Sequence, residues 1–205
     1  MVNEPSDETL IAAYVAGDAP AFQRLFARLG PRIHGFFMRA FRDEAVADDL
    51  LQTTFMKLHR ARSEWIAGSA VRPWLFTIAA RVRLDEIRRR YRLKAQATLD
   101  DIDAVESPVG AVDEEAGERA SRVRAALDKL PESQRLIVQL HRYEGLTFGE
   151  IANAIGSTEG AVKLRAFRAY ERLRVELRDL ADDAANEDDR TDRAPHAAAS
   201  ERSPS

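Results

Sequence analysis

The stretch Leu146–Leu180, "LTFGEIANAIGSTEGAVKLRAFRAYERLRVELRDL", decides how the rest of the chain is read. A helix-turn-helix needs a small residue where its two helices cross, a residue that tolerates positive φ in the short turn, and apolar anchors holding the second helix on the first. Ala152 supplies the small contact, Gly156 follows four residues later in the turn, and Val162 comes six residues beyond it as an inward anchor. Ile151 and Ile155 fall on the same inward face, and Thr158 is placed to cap the second helix. The outer surface of that helix carries Glu159, Lys163, Arg165, Phe167, Arg168, Arg172 and Arg174, polar and mainly basic. Such a helix suits a major groove with its early turns and phosphates with its cations. Spacing alone leaves a second reading open, in which the pair is simple bundle packing and the cations are only solvated.

Immediately upstream, "SRVRAALDKL" reads as a helix stopped before Pro131, whose ring suits the first turn of the next. That next helix, "PESQRLIVQLHRYEG", puts Leu136, Ile137, Leu140 and Tyr143 on one apolar face, with Gly145 as a left-handed terminator. Further back, Ser6 or Asp7 caps a helix carrying Leu10, Ala13 and Tyr14, Gly17 closes it, and Asp18 caps another with Phe22, Leu25, Phe26 and Leu29 inward. Gly30-Pro31 is expected to break that helix before "RIHGFFMRAF", with Ile33, Phe36, Phe37 and Phe41. A fourth helix from Asp43 turns Val46, Leu50, Leu51, Thr54, Phe55 and Leu58 inward. After a loop with Gly68 and Pro73, "PWLFTIAARVRLDEIRRRYRLK" buries Trp74, Leu75, Ile78, Val82 and Ile87 and leaves Arg81, Arg88, Arg89, Arg90 and Arg92 for solvent or a ligand.

With 32% charged residues, 10 Gly, 8 Pro and few β-branched runs among 205 residues, the composition leans to an all-α protein. The absence of Cys excludes disulfides, Cys-based zinc sites and thiol catalysis. No apolar run approaches the roughly 20 residues of a membrane span, and the N-terminus lacks a signal-peptide pattern, so a cytoplasmic protein is expected. The net charge of −3 hides two mildly basic blocks, 1–90 and 120–180, and two acidic ones, 91–119 and 181–205. The first acidic stretch reads as a linker and the second as a disordered tail. The expected organisation is thus two small helical domains, 1–95 and 120–180, joined by an acidic flexible linker, 96–119. His34, His59, His141 and His196 lack metal-ligand spacing, and neither a phosphate-binding Gly loop nor a nucleophile elbow occurs. The carboxylates of Asp48-Asp49 and Asp85-Glu86 diverge by about 100° on their helices. Catalysis, metal, cofactor and a small-molecule substrate are therefore not expected.

Two blocks together resemble the extracytoplasmic-function (ECF) sigma factors, two-domain specificity subunits of bacterial RNA polymerase. "DEAVADDLLQTTFMKLHRAR" followed by "RPWLFTIAARVRLDEIRRR" is similar to the second conserved region of that family. "ALDKLPESQRLIVQLHRYEGLTFGEIANAIGSTEGAVKLRAFRAYERLR" is similar to its fourth. The resemblance spans roughly residues 8–180 and implies that residues 1–95 bind core polymerase and the −10 element while 120–180 bind the −35 element. It implies contact of Asp48, Asp49, Leu50, Gln52, Thr53 and Phe55 with the β′ clamp coiled coil. Asp49 and Gln52 are favoured, because polar groups on an apolar helix gain little from burial. The β flap is the second implied polymerase contact.

The resemblance also implies that the −10 element is captured as a single strand by Ser69, Arg72, Ala80 and Arg81, with Arg83, Arg88, Arg89 and Arg90 on phosphates. Trp74 is expected as a core anchor instead of a stacking platform. Arg81 stands where many members carry Asn, and a guanidinium only donates whereas an amide also accepts. At the −35 element, Thr158, Glu159, Lys163, Arg165, Phe167, Arg168 and Arg172 are the implied contacts, with Lys163 or Arg168 on guanine and Phe167 on a thymine methyl or sugar edge. Leu164 replaces a commonly found Ser, removing a phosphate donor. Asp100, Asp101, Asp103, Glu106, Asp113, Glu114 and Glu115 either thread the linker through basic polymerase channels or solubilise a spacer. The implied partners are promoter DNA, core polymerase and an anti-sigma factor, of the membrane-embedded kind on the wording of the last helix. Such a partner would hold the protein at the inner membrane until it joins the nucleoid. The alternative is a stand-alone operator-binding regulator, dimeric and independent of polymerase.

Overall fold

A computed structural model describes residues 4–97 and 117–178, which form helices and turns with no strand among them. The expected linker core and the acidic tail lie outside the described residues. In the N-terminal half, α1 (Asp7–Val15), α2 (Ala19–Phe41) and α3 (Glu44–Ala61) each begin on a side-chain cap. Ser6 Oγ accepts from the Thr9 amide at 3.2 Å, Asp18 from Ala21 at 3.3 Å and Asp43 from Val46 at 3.1 Å. Each cap satisfies an amide that a helix start otherwise leaves unpaired. A 3-10 turn, Arg62–Glu64, leads towards α4 (Val71–Ala97).

Gly30-Pro31 does not break the chain: α2 runs through it for 23 residues. Pro31 is exposed, so the hydrogen bond that its ring removes falls on the side where water replaces it, while Leu25, Leu29, Ile33, Phe36 and Phe37 continue one buried stripe across the junction. Phe26 departs from the expected inward stripe, being 40% exposed at the edge of α2.

The C-terminal half comprises α5 (Glu118–Asp128), α6 (Glu132–Val138), α7 (Phe148–Ile155) and α8 (Glu159–Glu176). The helix expected to continue through Tyr143 instead widens into a π-helical turn, Gln139–Tyr143. The wider turn rotates Tyr143 off the apolar face and leaves it exposed, beneath the Arg39 guanidinium. Helix α7 opens on a capping box in which Thr147 and Glu150 exchange hydrogen bonds, and it closes on Gly156 at φ 66°. Thr158 then caps α8 by accepting from Ala161 at 3.3 Å. The helix-turn-helix expected from Ala152, Gly156 and Val162 is formed, with Ile151, Ala152 and Val162 buried.

The two halves are packed on each other. One apolar cluster takes in Leu25, Phe36, Leu75 and Phe76 from the first half and Leu136, Leu140, Ile151 and Ala152 from the second. Phe36 meets Phe76 edge-on at 5.8 Å. Helix α4 is the shared element, packed on α3 and on α7.

Two glycine replacements separate conformation from packing. A Cβ on Gly156 meets nothing within 4 Å, so Gly156→Ala loses only the left-handed conformation, about 1 kcal/mol. A Cβ on Gly35, inside α2, meets only the flexible end of the Arg39 side chain at 3.4 Å, so Gly35→Ala raises stability by about 0.5–1 kcal/mol through helix propensity. Urea denaturation of both variants gives shifts of opposite sign.

Candidate nucleic-acid interface

Helix α8 is seated on α6 and α7 by Val162, Ala166 and Ala169. That seating turns Lys163, Leu164, Phe167, Arg168 and Arg172 to solvent, with Phe167 63% exposed. Glu159 pairs with Lys163 at 2.7 Å one turn on, Arg165 Nη1 donates to Ser157 Oγ at 3.4 Å, and Arg172 Nη1 to Gln134 Oε1 at 3.3 Å. The Thr158 hydroxyl is engaged as the cap, and Arg168 stands exposed in the middle of the outer face. The expected −35 residues thus lie along one helix, with Leu164 and Phe167 as an apolar patch beside the cations.

The expected −10 residues are divided. Ser69, Arg88 and Arg89 are exposed. Ser69 Oγ donates to the Ile66 carbonyl at 2.7 Å, and Arg88 reaches Asp85 at 3.4 Å. The Arg89 fork grips both oxygens of Glu86 at 2.7 and 2.8 Å, and Arg90 adds a third bond at 2.7 Å. Of the other four, Arg72, Arg81 and Arg83 bond to the second half, Arg81 while still exposed to solvent. Ala80 is buried, Arg72 donates to the Glu144 carbonyl at 3.2 Å, and Arg81 to the carbonyls of Ala154 and Asn153 at 3.4 and 3.5 Å. Arg83 offers no guanidinium to a phosphate in this arrangement. It is 0% exposed, donating to Glu132 from Nε at 2.9 Å and to Gln139, with Phe36 beneath it at 5.2 Å. Burial pushes its pKa down and Glu132 pulls it back up. A cationic helix pattern carries no information on which of its turns a second half covers. Trp74 is partly buried against the core, as expected of an anchor.

On α3, Leu50 and Phe55 are buried core, Thr53 is half-buried, and Asp48, Asp49 and Gln52 are exposed. His34 Nε2 lies 3.4 Å from Asp48. Sequence reasoning missed the groove between α2 and α3 that Asp48 and Gln52 edge, floored by Phe22, Phe26, Leu51 and Phe55 and flanked by Met56, 49% exposed. It also missed Arg32, Arg39 and Glu144. "FFMRAFR" held a signal for Arg39, a cation within an apolar run, but Glu144 carries none in its local pattern.

An exposed basic recognition helix in one half and a second, arginine-lined half with a separate apolar groove define a DNA-reading transcription factor that also docks on protein. Comparison with known proteins narrows the class. Residues 25–93 match Sigma-70 region 2 and residues 120–173 match Sigma-70, region 4. RNA polymerase sigma factor CarQ of Myxococcus xanthus is 38% identical over 165 residues, covering 80% of this chain and 93% of its own. ECF RNA polymerase sigma factor SigM of Mycobacterium tuberculosis is 35% identical over 171 residues, covering 83% and 84%. Among solved structures, sigma factor RpoE in complex with anti-sigma factor NepR from Bartonella quintana superposes with TM-score 0.59 at 25% identity, covering 77% of this chain and 96% of that one. CnrH in complex with the cytosolic domain of CnrY gives 0.58 at 27%, covering 83% and 96%. The chain belongs to the ECF sigma factors, and it directs core RNA polymerase to specific promoters in transcription initiation. The operator-binding alternative gives way to this. Among the described residues no helix is long and apolar enough to cross a membrane.

The Glu86 cluster yields a pH prediction. Hydrogen bonds from Arg89, against some burial and with help from Arg90, hold the Glu86 carboxyl below its ordinary value. A depressed folded value means that the stabilisation is full above the unfolded carboxylate range near 4 and is lost as pH falls through the depressed value. Urea midpoints measured down through that range fall more steeply for the parent than for Glu86→Gln.

Proposed function

We propose that α8 reads the duplex −35 element in a major groove, with Arg168 or Lys163 donating to guanine, Phe167 against a thymine methyl or sugar edge, and Arg165 and Arg172 towards phosphates. The observation that carries this is the uninterrupted exposure of Lys163, Phe167 and Arg168 along one face of a capped helix. Thr158 and Glu159 act there by starting the helix and holding Lys163. Residues 4–97 then serve as the unit that binds core polymerase and the −10 strand. Ser69, Arg72 and Arg81 stand at the base-reading end of α4, and Arg88 and Arg89 meet phosphates farther along. Ala80 and Arg83 join that surface once the halves part.

The α2–α3 groove, edged by Asp48 and Gln52 with Asp49 exposed nearby on α3, is proposed to receive the β′ clamp coiled coil, and the C-terminal half the β flap. Apolar side chains with a few exposed acceptors suit a helical, basic partner. The protein acts as a cytoplasmic, non-enzymatic subunit. An anti-sigma factor is the proposed inhibitor, because both solved relatives are held in complexes, RpoE with NepR and CnrH with CnrY. A membrane-embedded partner is the form taken from the α8 wording.

Arg168→Ala is expected to weaken use of −35-dependent promoters by about 1–3 kcal/mol while leaving affinity for core polymerase unchanged. Run-off transcription at limiting holoenzyme reads this, and wild-type output would refute the groove assignment. The double replacement Asp49→Ala with Gln52→Ala does the reverse. Core affinity by fluorescence anisotropy drops by at least about 1 kcal/mol, with far-UV dichroism unchanged because both residues are exposed. Undiminished core affinity would remove the groove from the clamp contact.

A further inference from the structure

On the outer face of α8, Gly160, Lys163, Leu164 and Phe167 fall at helical spacing on one stripe, and Glu159 stands beside it at the first helical position. The Glu159 and Lys163 side chains are both more than half exposed and lie 2.7 Å apart, an acceptor and a donor held one turn from each other. Glu159 is the acid of the first three turns, on the surface proposed to meet a polyanion. Phosphates repel a carboxylate there, and it favours binding only where it finds a donor on a base edge.

Gly160 is not called for by the fold. Its φ lies outside the left-handed region and a Cβ on it would meet nothing within 4 Å, so neither backbone nor packing asks for glycine. Against alanine it costs the helix stability. What the missing side chain leaves is a bare step on the outward stripe, beside the Glu159–Lys163 pair, where a base edge can approach closely.

We infer that Glu159 and Lys163 act as one reader of a single C·G pair in the −35 element, Glu159 accepting from cytosine N4 and Lys163 donating to guanine O6, and that Gly160 gives the clearance for it. The inference rests on the proposed reading of the −35 element by α8 and adds a base to it. In a C·G pair, N4 and O6 face the major groove as a donor and an acceptor about 2.9 Å apart, each with a hydrogen or lone pair to spare. The protein offers the reverse order at 2.7 Å. G·C and T·A present donor and acceptor in the opposite order, which sets the carboxylate against an acceptor. A·T keeps the order but puts a thymine methyl where guanine N7 would draw the lysine. Stabilising a helix start accounts for Glu159 alone and leaves Gly160 without a purpose.

Holoenzyme reconstituted from the full chain and bacterial core polymerase, equilibrated with a promoter library randomised across the −35 region, retains DNA that is then sequenced. Wild type is expected to favour C·G at one position roughly tenfold over G·C and T·A, with A·T between them. Glu159→Ala flattens that position and leaves the others, including the one that Arg168→Ala flattens. Glu159→Gln moves the same position towards A·T, because an amide bonds adenine N6 and N7 together. Gly160→Leu lowers retention several-fold while raising the urea midpoint, since leucine favours helix and its Cβ meets no neighbour. A glycine with a purely structural role would move both readings the same way. Glu159→Ala acting evenly on all positions, or on none while Arg168→Ala still flattens its own, would overturn the paired readout and leave the reading by α8 standing. Undiminished retention with Gly160→Leu would overturn the clearance. Preferences unchanged in Arg168→Ala, Lys163→Ala and Glu159→Ala alike would take down the inference together with the assignment of the −35 element to α8.

Discussion

Arg83 is a whole guanidinium taken out of water at the centre of the molecule, and the arrangement of both halves follows from where it finds compensation. Burying an ion without partners is costly enough that few folds retain one. Here the charge is met from the C-terminal half by Glu132 and Gln139 and from below by the Phe36 ring. Burial lowers its pKa, but an arginine begins so high that it keeps its proton. None of its polar acceptors belongs to its own half. Parting the halves would return the Arg83 guanidinium to water. A buried ion pair of this sort adds little net stability over an apolar contact while dictating which surfaces face each other.

The distribution of covered and open faces has a functional order in it. Helix α4 supplies Leu75, Phe76 and Ala79 to the N-terminal core on one side and a platform for α7 on the other. Of its arginines, Arg72, Arg81 and Arg83 meet the C-terminal half, while Arg88 and Arg89 stay exposed and pair within α4. Helices α3 and α8 have only one packed side each, and their outer faces are free. For a subunit that must recognise promoters only as part of holoenzyme, weak binding to DNA alone is an advantage, because nonspecific sites compete for any free cationic surface.

Local signals in the sequence were read well because local chemistry settles them. Ser6, Asp18, Asp43 and Thr158 all cap helices as their side chains dictate, and Gly145 and Gly156 adopt the left-handed conformation that their positions in turns require. The helix-turn-helix and the exposure of its basic face follow from the 3.6-residue period alone. Pro31 failed as a stop signal because a continuous apolar stripe outweighs one lost hydrogen bond when that bond faces solvent. Tyr143 failed because the helical period was assumed through a π turn that changes it. The junction of the halves could not be read at all. Arg83 and Arg88 are both cations on one helix, and only the seating of the second half separates the buried one from the exposed one.

Arg81 is the α4 cation that bonds to α7 of the opposite half. Many family members carry an amide at that position, which can both give and take a hydrogen bond at a base edge, whereas a guanidinium gives only. In this chain its partners are the carbonyls of Asn153 and Ala154, the last turn of α7, where the helix dipole concentrates negative potential. A cation with a long reach suits that end of a helix far better than an amide does. The same donor-only chemistry narrows what the position can accept from a captured base. On the proposed assignment of Arg81 to the −10 strand, its bonds to α7 and its base preference draw on a single side chain.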